Sequence, residues 1–531
     1  VMPCYCSIGG EPVSASEHLL TQILRQEMGF DGVAVADYSA VSNVHHTQKL
    51  YETEAEAGLA CLSAGMDVEL PDTVCFNEEM KAMFAQGKAD MALLDQAVRR
   101  VLRAKFRMGL FEHPFALTGS ALSEMVHHPE DELITLQSAL ESLVLLKNDN
   151  HVLPVGKNVR KIALIGPHAD NARHFFGGYT HLSMVEAIHA VMNSLAGVDA
   201  SNTERKPMLT VPGTQVQSDE TEEFAQIGRQ IKPDCPSLLA KLTSSLPDAE
   251  ITYAYGYPIA GADESHFAEA LQAAAGADLV ILTLGGKHGS GSVATMGEGV
   301  DATDINLPRC QDAFIRAAAN LHKPMIGIHF GGRPISSDAA DECLDAILEA
   351  WNPSEMGAEA LTRVLTGETA PSGRMPVTTA RSAGQIPVYY NHPNGSSWHQ
   401  GDSIGFQEYV DMPHRPRYYF GQGLSYTTFA YDGLRIDKEE VGPREEITVS
   451  CQVTNTGSLE PGESRQVCFT FRPDRMAFLN REMRWLVEKG MIGVRIGASS
   501  EDIRLRGAFR IRESAIIQGR ERCFYAKTDI F

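Results

Sequence analysis

The sequence predicts an α/β protein that ends in a small all-β unit. Residues 1–110 alternate strand-like and helical runs, which is the order of parallel strands joined by helices. Residues 161–351 contain continuous apolar runs with helical segments between some of them, as in a doubly wound or sandwich-like sheet. From about Glu445 apolar and polar residues alternate, which predicts half-buried antiparallel strands and a small β-sandwich.

In the amino-terminal block, residues 1–5 and 32–36 are predicted strands, and residues 17–28 have the apolar spacing of a helix. Further helices are predicted at residues 54–64 and 94–108. The last of these helices has an apolar stripe, and the residues that we expect to face solvent are basic: Arg99, Arg100, Arg103 and Lys105.

A linker with Pro114 and His127-His128-Pro129 precedes a predicted helix at residues 133–142 and the second block. The strands predicted for that block are Lys161 to Gly166, Leu279 to Gly285, Met325 to Phe330 and Ala346 to Trp351. In the last block, residues 447–453 and 467–471 have a period of two, and turns are predicted at Asn455-Thr-Gly and Pro461-Gly-Glu.

The composition excludes several classes of partner. The 531 residues have a formal net charge of -22, which would repel nucleic acid and anionic lipid. The apolar runs are far shorter than the roughly 20 residues that span a bilayer, so no membrane segment is predicted. Ten cysteines show neither a C-x-x-C pair nor zinc spacing. We interpret them as mostly free thiols that behave as small buried apolar residues. Cys4 and Cys6 are too close together, on one face of a predicted strand, to make a good disulfide, and we interpret them in the same way. We expect no metal and no cofactor.

Free thiols favour a reducing, cytoplasmic location. A secreted or periplasmic location stays open as an alternative, because the sequence begins at Val1 without an initiator methionine.

An acidic residue stands directly after the second predicted strand. The segment Gly32-Val-Ala-Val-Ala-Asp37-Tyr38 places a carboxylate at the carboxyl end of a buried parallel strand. Barrel enzymes carry their catalytic groups at that end of their strands. The alternative explanation is an ordinary aspartate in a turn or at a helix N-cap.

The sequence around Asp37 resembles glycoside hydrolase family 3. The matching segments, in order, are Val1-Met-Pro-Cys-Tyr5, Phe30-Asp-Gly, Ala36-Asp37-Tyr38 and Ala64-Gly-Met-Asp67-Val-Glu69-Leu-Pro71. The similarity continues in Glu141-Ser-Leu-Val-Leu-Leu-Lys-Asn148, Gly332-Arg-Pro, Pro371-Ser-Gly-Arg-Met-Pro and Phe420-Gly-Gln-Gly-Leu-Ser-Tyr. The resemblance implies the carboxyl-terminal part of a (β/α)8-like barrel in residues 1–115, a linker and connecting helix in 116–158, an α/β sandwich domain in 159–430 and a fibronectin type III-like β-sandwich in 431–531.

The resemblance also implies the catalytic pair, with Asp37 in the position of the nucleophile. Retaining glycosidases need a second carboxyl group about 5 to 5.5 Å away. The Glu of the family's E-G-x-D-R element maps onto Glu298 in Met296-Gly-Glu298-Gly-Val-Asp301, with Ala302 where Arg is usual. Glu298 is then the general acid/base; a solvated turn residue is the alternative for a glutamate on a glycine-rich loop.

Four more residues are candidate substrate contacts. Tyr5 matches the family's tyrosine beside the glycosyl subsite, with Cys6 in place of the usual Asn, and Tyr38 follows the nucleophile. Lys287 and His288 lie on the glycine-rich loop and are candidates for an acceptor subsite, although such residues are more often solvated. Asp67 and Glu69 also match the family and are expected to be structural.

Family 3 barrels normally have further strands before the M-P-x-Y motif, with residues that hold the sugar. Residues 1–111 alone would leave open sheet edges. We therefore expect either an amino-terminal part of the barrel that this chain lacks, or a second chain or homo-oligomer that completes it.

The function implied by the resemblance is that of a retaining, exo-acting β-glycosidase, with β-glucosidase as the first expectation. It would hydrolyse terminal non-reducing β-linked sugars of an oligosaccharide or β-glycoside by double displacement. A β-xylosidase and a phosphorylase are the related alternatives. The alternative of another class is a catalytically impaired remnant that serves as a binding or assembly module.

Overall fold

The computed structural model describes residues 1–126, 128–195, 208–218, 221–392, 408–459 and 462–531. His127 of the predicted linker and Pro461 of the predicted turn lie outside these ranges. Among the residues in them, no helix is both long and apolar enough to cross a bilayer.

The amino-terminal unit consists of helices packed around short extended segments. Its helices span His18–Glu27, wound as a π-helix, and Ala40–His46, Glu54–Ala64, Glu78–Ala85 and Met91–Arg107. A hairpin pairs Ser7–Ile8 with Glu11–Pro12. The three helices predicted from the sequence are confirmed, to within three residues at their ends.

The two strands predicted in this unit do not form regular ladders. Val35 pairs with Val68 in a single parallel bridge, and its N–H donates to Val1 O at 2.9 Å. The N–H of Ala36 donates to Val68 O at 2.8 Å. Three extended segments therefore run side by side with a few bonds each. The parallel arrangement is as predicted, but the strand lengths are wrong because only single bridges form between the segments.

Helix Met91–Arg107 turns Arg100 towards the unit, against the prediction, whereas Arg99 and Lys105 are exposed as predicted. Arg100 Nη1 lies 2.9 Å from Asp67 Oδ1, and Arg25 Nη2 lies 2.8 Å from Asp67 Oδ2. A buried carboxylate is costly without a cationic partner, which explains why Arg100 turns inward. The apolar stripe faces outward, with exposed side chains at Leu94, Val98, Leu102 and Phe106.

The second unit is built on one six-stranded sheet. Its strands are β1 (Val144–Asn148), β2 (Lys161–Ile165), β3 (Glu250–Ala254), β4 (Leu279–Gly285), β5 (Met325–Phe330) and β6 (Ala346–Trp351). They lie in the order β1-β6-β5-β4-β2-β3, and every pair is parallel except β1 with β6. The four strands predicted for this block are confirmed to within one residue, whereas β1 and β3 were not predicted.

Helices cover both faces of this sheet. They span Gly119–Val126, Pro129–Ser142, Pro167–Asp170, His181–Leu195, Glu222–Ile231, Leu238–Ser245, Phe267–Ala275, Arg309–Ala319, Asp338–Cys343 and Gly357–Thr366. Successive strand residues point to opposite faces. Leu164 and Ile281 therefore belong to one buried cluster, and Ile165 and Leu282 to the other. This is the α/β sandwich that the sequence predicted.

The strand order reverses at β2. Strand β3 lies on one side of β2, and β4, β5 and β6 follow on the other side. In open α/β sheets, ligands bind at such a switch point, in the crevice beyond the carboxyl ends of the strands. The loops that follow β2 and β4 border this crevice.

The carboxyl-terminal unit is antiparallel, as predicted, except that Glu440–Val441 pairs in parallel with Ile503–Ile511. Its four-stranded sheet has the order Lys527–Ile530, Ser464–Phe471, Ile447–Asn455 and Phe429–Ile436. Two three-stranded sheets contain Glu440–Val441, Ile503–Ile511 and Gly490–Gly497, and Phe478–Leu479, Trp485–Val487 and Ala515–Ile517. Buried apolar side chains such as Ile447 and Phe509 fill the space between the sheets.

Candidate active site

Asp37 lies at the carboxyl end of the central extended segment of the amino-terminal unit. The next residue but one, Ser39, has a φ of 63°, and its N–H donates to Leu70 O at 2.9 Å. This turn ends the segment at once and leaves the Asp37 carboxylate partly exposed at the rim. Asp37 Oδ1 accepts a hydrogen bond from the N–H of Tyr38 at 2.7 Å.

Tyr5 lies beside Asp37. Its hydroxyl donates to Tyr38 O at 2.8 Å. Burial, followed by the hydrogen bond to Asp37 and by the charges of Asp37 and Glu298, raises the pKa of the Tyr5 phenol. The Tyr38 side chain itself is 65% exposed and points away from the interior.

Glu298 lies on a loop that folds back on its own beginning. The N–H of Gly289 donates to Met296 O at 3.0 Å, and the N–H of Thr295 donates to Lys287 O at 2.9 Å. Gly297 has a φ of 136°, and a Cβ there would lie 1.9 Å from Gly289 O. Only glycine fits that close approach, and the tight fold presents the exposed Glu298 carboxylate at the end of the loop.

Tyr179 is a site residue that the sequence analysis missed. It lies on the loop after β2, directly after Gly177-Gly178, and its φ is 61°. Its hydroxyl donates to Glu298 Oε2. That hydrogen bond, followed by burial and by the charges of Glu298 and Asp37, raises the pKa of the Tyr179 phenol. An aromatic residue after two glycines in a loop at the switch point was the available signal, but only the strand order reveals the switch point.

The two predicted catalytic carboxylates both raise the pKa values of Tyr5 and Tyr179. The charge of Glu298 raises the pKa of Tyr5, whose hydroxyl donates to Tyr38 O beside Asp37. The charge of Asp37 raises the pKa of Tyr179, whose hydroxyl donates to Glu298. The structure brings Asp37, Glu298, Tyr5 and Tyr179 together at the junction of the amino-terminal unit and the α/β sandwich.

Lys287 does not line this crevice. Its side chain is fully buried, and Nζ donates to Phe176 O at 2.7 Å and to Ser183 Oγ at 3.0 Å. Nζ also lies 3.4 Å from Glu186 Oε2, and Glu186 is paired with Arg173 at 2.5 Å. The ammonium thus ties the loop of Glu298 to the loop of Tyr179. A direct contact between Lys287 and substrate, as predicted, does not fit this burial.

His288 is half-buried beside the same loop. Its Nδ1 lies 3.4 Å from the N–H of Gly178 and 3.2 Å from Asn352 Nδ2. Burial, followed by the charge of Lys287, lowers the pKa of the His288 imidazole. A neutral ring that accepts from Gly178 supports the turn before Tyr179.

Asp67 and Glu69 are structural, as expected. Asp67 accepts from the two arginines described above and from the N–H of Ala34 at 2.9 Å. Glu69 accepts from the N–H groups of Cys75 and Phe76 at 3.0 and 2.8 Å. Both carboxylates hold backbone segments of the amino-terminal unit rather than facing the crevice.

Within the described part of the chain, no group of three or more His, Cys, Asp or Glu side chains could hold a metal ion.

Three family models match the sequence. The N-terminal domain of glycosyl hydrolase family 3 matches residues 1–104, the C-terminal domain of the same family matches residues 143–426, and a fibronectin type III-like domain matches residues 441–500. The two catalytic candidates fall in different domains, Asp37 in the first and Glu298 in the second.

Similar proteins of known activity include a periplasmic beta-glucosidase of Salmonella typhimurium and a beta-xylosidase of Formosa agariphila. Each is 29% identical to the chain, over 550 and 545 residues respectively. The alignments cover 96% and 94% of this chain and 67% of each relative. The chain thus spans about two thirds of the length of these relatives.

Similar solved structures include a β-glucosidase from Erythrobacter marinus, with a TM-score of 0.77 and 26% identity, and a β-glucosidase from Listeria innocua, with a TM-score of 0.76 and 25% identity. The matches cover 96% and 97% of this chain and 67% of each of the other chains. The likeness therefore extends over all three units.

Proposed function

The chain belongs to glycosyl hydrolase family 3, and from this premise we propose that it is an exo-acting β-glucosidase that retains anomeric configuration. It is a glycoside hydrolase whose homologues are β-glucosidases and β-xylosidases. The observation that carries the proposal is the meeting of Asp37 and Glu298, from separate domains, around Tyr5 and Tyr179.

In the proposed mechanism, Asp37 attacks the anomeric carbon of a terminal β-linked sugar while Glu298 donates a proton to the leaving oxygen. The bond between sugar and aglycone breaks, and a glycosyl-Asp37 ester forms. Glu298, now ionised, takes a proton from water, and the resulting nucleophile releases the sugar and restores the Asp37 carboxylate. Two inversions give overall retention.

The surroundings of the two carboxylates suit these roles. Asp37 Oδ1 accepts a hydrogen bond from the N–H of Tyr38, which fixes the orientation of the carboxylate. Glu298 is held by the hydroxyl of Tyr179, which can donate to the ionised carboxylate in the second step. Tyr5 and Tyr38 are proposed to contact the sugar, since both lie beside Asp37 at the crevice.

The experiment for the nucleophile is covalent labelling. The fluorine of a 2-fluoro-glucoside slows both steps, and a dinitrophenyl leaving group keeps the first step the faster one, so the glycosyl-enzyme should accumulate. Peptide mapping should find the label on Asp37 in the wild type and no label in Asp37→Asn. An intact protein with a correctly folded spectrum that takes up no label, or labels elsewhere, would refute the proposal.

Glu298 is tested by chemical rescue. Glu298→Ala should still form the glycosyl-enzyme from a dinitrophenyl glucoside, because that leaving group needs little protonation. Turnover should nevertheless be slow, because no general base activates water in the second step. Azide, a small nucleophile that needs no general base, should then accelerate turnover and yield the β-glucosyl azide. A variant that azide does not accelerate would show that Glu298 is not the acid/base.

The sugar is decided by comparing nitrophenyl glycosides. A higher kcat/KM for the xyloside than for the glucoside would replace β-glucosidase by β-xylosidase, the activity named for the Formosa relative. Dependence of turnover on phosphate would indicate a phosphorylase. A remnant that only binds or assembles would give neither label nor turnover.

We further infer that a second copy of the chain covers the outward-facing apolar side of helix Met91–Arg107. The outward-facing apolar side chains of helix Met91–Arg107, such as Leu94 and Leu102, form an apolar surface of the kind that marks protein contacts. Light scattering should give a mass above that of one chain, and Leu94→Ser with Leu102→Ser should lower it. A wild type that is monomeric at high concentration would contradict this.

We propose a cytoplasmic location, supported by the ten cysteines, all of which are free. The Salmonella relative is named as periplasmic. Fractionation of the native host, with antibodies against the chain, distinguishes the two compartments.

A further inference from the structure

Cys4 and Cys6 form an exposed pair of thiols beside the crevice. Of the ten cysteines, these two are exposed, and the other eight are buried or half-buried. The expectation that they are buried apolar residues is therefore wrong. Their sulfur atoms lie 2.9 Å apart, and Tyr5 is the residue between them in the sequence. The sequence thus places two reactive groups of the same kind next to a residue of the candidate active site.

The pKa values of the Cys4 and Cys6 thiols are shifted in opposite directions, and buried thiols elsewhere in the chain have strongly raised pKa values. A hydrogen bond with Cys6 lowers the pKa of Cys4, and the same hydrogen bond raises the pKa of Cys6. Burial raises the pKa of the Cys61, Cys75 and Cys310 thiols to about 12. Since the thiolate is the nucleophile, Cys4 is the sulfur best prepared to attack. Cys6 is within reach to complete the reaction.

We propose that Cys4 and Cys6 are a modification site that forms a reversible intramolecular disulfide by exchange with low-molecular-weight disulfides. The approach needed is small, because the sulfur atoms have to move from 2.9 Å to about 2.0 Å. Disulfides that form in a reducing compartment are usually transient and redox-sensing. The site would therefore respond to oxidation rather than stabilise the fold.

The exchange is balanced. The Cys4 thiolate attacks one sulfur of the small disulfide, forms a mixed disulfide and releases one small thiol. The Cys6 thiolate then attacks the Cys4 sulfur of that mixed disulfide and releases the second small thiol. The protein loses two protons and two electrons, and the small disulfide gains them. A dithiol reductant reverses both steps.

The consequence for the active site passes through Tyr5. Its carbonyl accepts from Gln48 Nε2 at 3.0 Å, and its hydroxyl donates to Tyr38 O at 2.8 Å. Closing a ring through Cys4, Tyr5 and Cys6 changes the backbone that positions the phenol next to Asp37. A loss of glycosidase activity on oxidation rests on the proposed function; the formation of the disulfide does not.

The experiment follows the thiols directly. The reduced chain is treated with glutathione disulfide, alkylated under denaturing conditions and digested. The peptide with both cysteines should lose two hydrogen atoms and resist alkylation, and dithiothreitol should restore it. Phenylarsine oxide, which captures close pairs of thiols, should protect the same peptide before oxidation and should not bind after it.

Single variants separate the two steps. Cys4→Ser should be unreactive, whereas Cys6→Ser should accumulate a stable glutathione adduct on Cys4, because the resolving thiol is absent. Cys523→Ser, which removes a half-buried cysteine of the carboxyl-terminal unit, should behave like the wild type. Wild-type protein that carries two glutathione adducts, or that remains fully alkylated at both positions, would overturn the proposal. Activity that survives a verified disulfide would overturn only the link to Tyr5.

Discussion

The hydroxyl of Tyr179 donates a hydrogen bond to Glu298, from the loop after β2 to the loop after β4. These loops border the point at which the strand order of the sheet reverses, so the bond spans the crevice where ligands of such sheets bind. Tyr179 also lies within the electrostatic reach of Asp37. One phenol therefore lies between the proposed acid/base, Glu298, and the proposed nucleophile, Asp37, which belongs to another domain.

Replacing Tyr179 by Phe should impair the protonation step. We expect kcat/KM for a nitrophenyl glucoside to fall about tenfold, a small part of the roughly 100- to 10,000-fold that general acid/base catalysis contributes. The loss should be smaller for a dinitrophenyl glucoside, whose leaving group needs little protonation. An equal loss for both substrates would assign Tyr179 a merely structural role. Tyr525→Phe, at an exposed position in the carboxyl-terminal unit, is the control.

Two glycines on either side of Glu298 should differ sharply in their tolerance of alanine. In Gly297→Ala the new Cβ would lie 1.9 Å from Gly289 O, so the loop must move. Displacing a catalytic group by about 1 Å can cost roughly 100-fold in rate, and we expect a loss of that order. Gly299→Ala meets nothing within 4 Å and strains only its own φ of 68°, so its loss should be far smaller. Steady-state kinetics of both variants is the measurement, and equal losses would contradict the close contact.

Lys287 should make stability depend on pH in the alkaline range. Burial lowers its pKa from 10.5 to about 8, so between these values the unfolded chain binds more protons than the folded chain. The contribution of this group to the free energy of unfolding therefore rises as pH rises through that window. Lys287→Met lacks the rise, and its destabilisation relative to wild type should grow with pH.

Urea unfolding at several pH values within the window measures that difference. Lys157→Met, at an exposed lysine of the same domain, should show a difference from wild type that stays flat. A flat difference for Lys287→Met as well would mean that the ammonium is no more buried than that of Lys157.

Arg100 and Arg99 are neighbours with opposite environments. Two guanidinium groups, those of Arg100 and Arg25, contact the buried Asp67 carboxylate, and Arg100→Leu leaves it with Arg25 alone. We expect a cost of about 2 kcal/mol to the amino-terminal unit, below that of a buried carboxylate left with no partner. Arg99→Leu, on the exposed side, should stay within about 0.5 kcal/mol. Chemical denaturation of both variants checks this. Equal stabilities of the two variants would contradict the inward orientation of Arg100.

Much of the fold could be read from the sequence because its signals are local. Strands β2, β4, β5 and β6 are continuous apolar runs, and the antiparallel unit has a clear period of two. Asp37 and Glu298 were found through motifs that surround them. Strand β1 was missed because it lies within motif text that was interpreted only as a resemblance, and β3 because alternating exposure gives Glu250–Ala254 a mixed composition.

The errors have a common physical origin in contacts between distant segments. The orientation of helix Met91–Arg107 was wrong because the buried position of Asp67 is not visible in the helix itself. Lys287 was assigned to an acceptor subsite because its buried partner Glu186 lies far away in the sequence. Tyr179 was missed because its role depends on the order of strands, which no local pattern specifies.

The nucleophile and the acid/base candidates are anchored in separate hydrophobic cores: a small one around Leu20, Val41 and Met66, and the two large clusters of the α/β sandwich. The small core has fewer buried side chains than either large cluster, so we expect it to melt first. Heating should therefore abolish turnover at the melting point of the weaker core, while most of the chain is still folded. Any programme to make this catalyst more heat-resistant has to begin with the amino-terminal unit, because added strength in the larger one would leave the operating limit unchanged.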